Sequence, residues 1–203
     1  MVLNINGDTE SLKQRTFVGE TTAAGKIIIV DPRRTMTVSA AEAAAGKENV
    51  LHLQIEPGTD IPLLNAIARV VLDKRWHDIA FIRQRSEWQT FEAYQRSSLG
   101  VDRSISEFVG EAAKLTGVAK ADIFKAANWI AAPKKGGARK RTLFHYEKGL
   151  IWGLKNYENV AAIVDLALMT GNVGKPGTGC SRLGGHQEAY VRPPYPGRRP
   201  ALN

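Results

Sequence analysis

The chain has 203 residues, 43% hydrophobic and 24% charged, which is enough for one good-sized core or pieces of two and ordinary for a globular protein. Its formal net charge of +8 favours an anionic partner: nucleic acid, phosphate groups or an acidic protein face. The single cysteine, Cys180, excludes an internal disulfide, a zinc site or an iron–sulfur cluster built by this chain alone.

Residues 1–25 are polar and weakly patterned and predict loop or poor order, without the apolar core of a secretory signal. Lys26–Val30, KIIIV, is a β-branched run of the kind buried on both faces of a parallel sheet. A second strand, about Val50–Ile55, runs into a turn containing Pro57 and Gly58. Asp60 can cap the next helix, which extends to Trp76 with apolar residues at helical spacing. Residues 78–94 predict one or two helical turns and a loop. Ser104 and Glu107 fit a capping box that opens a helix closed by Gly117. Ala119–Ala131 is another helix, stopped before Pro133. The basic loop KKGGARKR follows, Lys134–Arg141, then strand character in TLFHYEKG. Asn156–Thr170 reads as a helix apolar almost all round, hence buried. Gly171 ends it and begins a glycine-rich tail. No apolar run approaches the length that crosses a bilayer.

Strands alternating with helices predict an α/β fold: layered, Rossmann-like dinucleotide-binding units with a mostly parallel sheet, incomplete at both ends. The reading divides the chain into a weakly patterned segment 1–25, an α/β piece 26–141, and part of a second α/β domain 142–203, with the basic loop as the boundary. Ligands of such sheets sit beyond the carboxyl ends of the strands, where Asp31, Arg33 and the EPGTD turn fall. Asp31 is placed to accept ribose hydroxyls or to serve as a turn residue before Pro32. No GxGxxG precedes it, so a nicotinamide cofactor is poorly supported. Asp60 is either a helix cap or an acceptor for the paired N–H donors of a guanine edge. Between Thr170 and Gly179 the glycines permit close backbone approach to a ligand. Arg182, His186, Gln187 and Glu188 then sit on a glycine-framed loop pinned by Pro193, Pro194 and Pro196, the kind of segment that carries sites. His52 reads as core or sheet edge, His77 as surface, and His145 stays open.

IIIVDPRRT, EPGTD, YEKGLIWG, LALMTGNVGKPGTG and RLGGHQEAYVRPPYPG together resemble the dimethyl sulfoxide reductase family of molybdenum enzymes, over about 26–197. RLGGHQE with YVRPPYPG is the narrowest of these and resembles its arsenite-oxidising branch. The resemblance implies molybdenum held by two molybdopterin guanine dinucleotides and oxygen-atom transfer to arsenite. It implies that Asp31 and Asp60 serve the ribose and base of one guanosine, with Arg33 and Gly58 beside them. It implies that Asn172, Gly174, Gly177 and Gly179 approach a pterin, and that Tyr146, Glu147, Lys148 and Gly149 line the other cofactor arm. Arg182 and His186 match catalytic residues that contact substrate, with Gln187 and Glu188 in the same substrate loop; no residue of this chain is implied as a metal ligand.

The resemblance also implies, for the parent protein, an N-terminal iron–sulfur cluster, a small Rieske-type iron–sulfur subunit and a periplasmic location, with no transmembrane segment implied for this chain. This sequence has no cysteine set for the cluster, and Ala189 stands where the pattern has Gly. The reading is therefore an internal piece of a catalytic subunit, inactive alone. Another oxyanion or small-molecule oxidoreductase of the same family is the runner-up, and a basic nucleic-acid-binding domain without catalysis is the competing class. It rests on charge only, since no stacking-aromatic motif or helix-turn-helix signal is present.

Overall fold

The computed structural model describes the backbone of residues 2–5, and residues 25–182 in full. Five short strands form one sheet: β1 (Val2–Ile5), β2 (Lys26–Val30), β3 (Val50–Leu53), β4 (Thr142–Tyr146) and β5 (Gly179–Arg182), in the order β3-β2-β1-β4-β5. The helices are α1 (Met36–Ala45), α2 (Asp60–Asp73), α3 (Ile79–Arg85), α4 (Trp88–Ser97), α5 (Ile105–Thr116), α6 (Lys120–Ala131), α7 (Lys148–Ile151) and α8 (Asn156–Met169).

The α/β class stands, with a more mixed sheet than the sequence predicts. β2 pairs with β3, and β4 with β5, in parallel, but β1 is antiparallel to both β2 and β4. The segment read as loop in 1–25 thus supplies the central strand. Because β1 opposes both neighbours, β2, β3, β4 and β5 all point the same way, and their carboxyl ends share one edge of the sheet.

The continuous apolar run of β2 is explained by burial on both faces. Ile28 and Val30 join the main core with Leu51 and Leu53, while Ile27 and Ile29 pack with Val50, Val38 and Ala41 beneath α1. α2 forms the centre of the helical layer on the other side, packed against α5, α6 and α8. Its residues Leu63, Ala66, Ile67, Val70 and Val71 are almost wholly buried. Each of the Leu, Ile and Val side chains among them is worth about 1.5–3 kcal/mol of burial. The basic loop divides the sequence but not the core. Ile28 and Ile67, before it, share one cluster with Phe144, Ile163 and Leu166, after it. Nor is α8 buried all round: Ala162, Ile163, Leu166, Ala167 and Met169 face inward while Tyr157 is exposed.

Two helices stand where one or two turns and a loop are predicted, because Asp78 caps α3 by accepting from Phe81 N at 3.1 Å. The capping box forms at Ser104, whose Oγ accepts from Glu107 N at 3.2 Å, and Gly117 closes α5 with φ +73°. Among the described residues no helix is long and apolar enough to cross a membrane.

Candidate functional site

The common direction of four strands brings Asp31, the 54–60 turn, residues 146–149 and Arg182 to one edge. Asp31 leaves β2 with its backbone N–H still bonded to Leu53 O (3.2 Å) and its carbonyl meeting His52 Nε2 at 3.0 Å. Its Oδ1 accepts from Arg33 N at 2.8 Å. Among the described residues Asp31 Oδ2 has no hydrogen-bond partner, and Arg33 is exposed.

Past β3, Glu56 N donates to Thr116 O at 2.9 Å and Thr59 Oγ1 to Glu56 O at 2.6 Å, which fixes the turn. Gly58 takes φ +83°, and a Cβ there would meet nothing within 4 Å. Thr59 caps α2, so Asp60 stands at the first helical position instead of the cap. Among the described residues Asp60 accepts no side-chain hydrogen bond from a neighbour, and burial holds its carboxyl above the usual aspartate range. A carboxylate at a helix N-terminus with unspent acceptors is available to a ligand bearing N–H donors.

At β4 and β5, Tyr146 and Arg182 are register partners. Arg182 donates from Nε to Glu147 Oε2 at 3.1 Å and from Nη2 to Oε1 at 3.4 Å. This forked pair holds the guanidinium where β5 leaves the sheet. Burial, before any charge effect, pushes the Tyr146 phenol up. One residue back, His145 Nδ1 meets Ser181 Oγ at 2.9 Å, and burial lowers the imidazole's pKa. Lys148 lies 4.8 Å from the Trp152 ring centroid, and a Cβ on Gly149 would meet nothing within 4 Å. His186, Gln187, Glu188 and Ala189 lie outside the described residues.

The glycine loop is not part of this grouping. Residues 171–178 precede β5, so they lie at the amino edge, a strand length of roughly 13 Å away. There Asn172 is buried, and its side chain accepts from Thr142 N at 2.9 Å and donates to Thr170 Oγ1 at 2.9 Å. Its backbone N–H donates to Ala167 O at 2.8 Å. Asn172 thus ties the end of α8 to the start of β4, and its polar atoms are spent. Gly174, with φ +71°, and Gly177, with φ +73°, turn the same loop, and Gly179 opens β5 with φ +144°. Asn172, Gly174, Gly177 and Gly179, which the resemblance implies approach a pterin, thus stand at the opposite edge of the sheet from Asp31, Asp60 and Arg182. Their glycine content reports turning, not the edge on which they turn.

Sequence reasoning missed Asp78. It is buried, bonds Arg139 Nε at 3.2 Å and Lys175 Nζ at 3.5 Å, and so joins the basic loop and the glycine loop to α3. Its position just before a helix was the available signal. The Glu147–Arg182 pair carried no sequence signal, because its partners meet only through the β4–β5 register. His77, read as surface, is half-buried, with a buried Nδ1 that has no hydrogen-bond partner among the described residues and a ring 6.1 Å from Phe91.

Residues 8–192 match the family model described as molybdopterin oxidoreductase. The chain is 41% identical over 196 residues to arsenite oxidase subunit AioA of Herminiimonas arsenicoxydans, covering 95% of this chain and 22% of that protein. It is 36% identical to iodate reductase subunit IdrA of Denitromonas iodatirespirans, over 86% of this chain and 23% of that one. An F420-dependent formate dehydrogenase 1 subunit alpha of Methanococcus maripaludis is 34% identical over 79% of this chain and 20% of its own length. Among solved structures, acetylene hydratase from Pelobacter acetylenicus superposes with TM-score 0.55 at 20% identity, over 74% of this chain and 18% of that one. The chain therefore spans about a fifth of the length of these relatives. A match over most of its residues, on a sheet that gathers its strand ends at one edge, makes this chain a member of the molybdopterin oxidoreductase family.

Proposed function

We propose that the chain is part of the catalytic subunit of a molybdenum enzyme that oxidises arsenite to arsenate, with its cofactor in the bis(molybdopterin guanine dinucleotide) form. The observation that carries the reading is the gathering of Asp31, Arg33, Gly58, Asp60, residues 146–149 and Arg182 at one sheet edge. The similarity to AioA supports the substrate class. The residues fit the group. Asp60 has acceptors to spare for a guanine edge, and Asp31 keeps one oxygen for ribose hydroxyls. Arg33 is exposed for phosphate, and the space over Gly58 lets the backbone be approached closely. Tyr146, Lys148 and Gly149 line the second arm.

When bound, the molybdenum cofactor supplies oxygen-atom transfer and takes up two electrons. The chain's own side chains bind and orient. Arsenous acid is neutral and rich in hydroxyls, so it calls for donors and acceptors more than for net charge. Arg182, half neutralised by Glu147, donates to oxygens as negative charge develops on them. His186 accepts a hydroxyl proton, and Gln187 and Glu188 complete the substrate loop. A cluster in a cysteine-bearing N-terminal part, a small Rieske-type iron–sulfur subunit and a periplasmic location complete the proposal, as the family resemblance implies.

The 36% identity to an iodate reductase subunit favours a second reading, in which the same edge serves a reduction. The two are separated in the full-length protein by following arsenite loss with an artificial electron acceptor and iodate loss with a reduced viologen. Turnover of iodate without arsenite selects the second reading. Under the first, Arg182→Ala or His186→Ala lowers kcat/KM for arsenite by roughly 100- to 1000-fold, about 3–4 kcal/mol at the barrier, at unchanged molybdenum content by mass spectrometry. Unchanged kcat/KM in both variants removes these residues from the site.

A further inference from the structure

The amino edge of the sheet, away from the site, carries a compact set of cations that make no ion pair with a carboxylate among the described residues, although Lys26 Nζ also donates to Asn49 Oδ1. Lys26 Nζ lies 5.2 Å and Lys125 Nζ 5.0 Å from the ring centroid of Trp129. Lys140 Nζ donates to Asn128 O at 2.6 Å, at the end of the same helix, α6. Burial, and then the charges of Lys134 and Lys26, push Lys140 below the usual lysine value. Among the described residues none of these four lysines makes an ion pair with a carboxylate. The loop that presents Lys134 is built, not loose. Lys134 N donates to Ala138 O at 2.8 Å and Gly137 N to Lys134 O at 2.9 Å, with Gly136 and Gly137 both at positive φ. Arg139, bonded to Asp78 and to Trp76 O (3.1 Å), anchors it.

Like charges held together repel, and protein surfaces normally intersperse the two signs. Such a patch is stabilised when a partner brings the missing negative charge. We propose that Lys26, Lys125, Lys134 and Lys140, arranged around Trp129, form a docking surface for a carboxylate-rich segment of a partner protein. Nucleic acid fits less well, because two ammonium groups already lie over the one indole that a base would stack on, and the lysines form a cluster, not a stripe following a phosphate backbone. The surface lies at the opposite edge from Arg182.

The test uses the full-length protein and a fluorescent Glu-only octapeptide, followed by anisotropy at several salt concentrations. Replacing Lys125, Lys134 and Lys140 by Gln should weaken binding about tenfold or more. Replacing Lys114, Lys120 and Lys155, which removes the same charge elsewhere, should weaken it less than about threefold. Equal losses in both triple variants would mean diffuse charge and overturn the proposal, as would tighter binding of a DNA duplex than of the peptide. A second measurement needs no variant. Bound peptide should protect Lys125 and Lys134 of the wild-type protein from acetylation, read by mass spectrometry, and protection only at Lys114, Lys120 or Lys155 overturns the assignment.

Discussion

Where the end of α8 meets the amino edge of the sheet, buried polar side chains are spent on their neighbours: Asn172 on Thr142 and Thr170, Asp78 on Phe81, Arg139 and Lys175. At the carboxyl edge, the Asp60 carboxylate accepts from its own backbone N–H but from no other described residue, Gly58 faces open space and Arg33 is exposed. Both edges are rich in glycine and charge. What separates them is satisfaction: a buried polar group must find a partner inside the fold, whereas one at a ligand edge can wait for the ligand. The buried cluster at the end of α8 therefore stabilises the fold, and the carboxyl edge, under the proposed function, serves chemistry.

The strongest way to break this contrast is at Gly171. It has φ +66°, and a Cβ there would lie 2.5 Å from Asp78 Oδ2 and 3.0 Å from Asp78 Cβ. Gly171→Ala adds left-handed strain to a clash with a buried, ion-paired carboxylate. The expected cost is about 3 kcal/mol, read as a lower denaturant midpoint. A cost near zero would mean that the amino edge is as loose as the other. Asn172→Ala comes next. It strands the buried Thr142 N–H and should cost about 2 kcal/mol, without lowering turnover per folded molecule.

Gly58→Ala carries the comparison to the other edge. Its φ is just as positive, but with no neighbour to meet, strain alone remains, about 1 kcal/mol. Under the proposed function the added methyl also occupies ligand space, so cofactor retention should fall by more than stability does. A variant that loses stability as Gly171→Ala does, with normal cofactor content, would show that the 54–60 turn is structural.

The smallest effect is at Asp60. Its carboxyl is held above the usual range by burial, so the folded state binds the proton more readily than the unfolded chain. The stability this gives is fully present below the unfolded pKa and is lost as pH rises through the folded value. Asp60→Asn cannot ionise there, so the wild type should lose stability relative to the variant across that window. Parallel pH profiles of the two would show that the carboxyl is not perturbed.

The parts of the fold legible in the sequence were those written locally. KIIIV announces a strand buried on both faces, and the Ser104 box with Gly117 announces a helix with both ends marked. α1 was missed because MTVSAAEAAA buries little beyond Val38 and Ala41, so no periodic stripe appears. The carboxyl-edge residues 31, 33, 58 and 60 could be placed because they follow strands directly. The amino-edge position of 172–179 could not, since it depends on where β5 begins, and Glu147 meets Arg182 only through a pairing between distant strands.

The central strand has a consequence for how the molecule assembles. β1 joins the two parallel pairs, and its last residue, Ile5, is the register partner of both Lys26 and Thr142. The first pairing is local and forms early; the second must wait for the chain to be made or collapsed as far as β4. Until β1 is seated between them, β2 and β4 each present an open strand edge able to recruit a foreign strand. Closing so long a loop is slow. The main refolding barrier should therefore lie in seating β1, and aggregation should be worst in the interval before it closes, whatever the final stability of the native sheet.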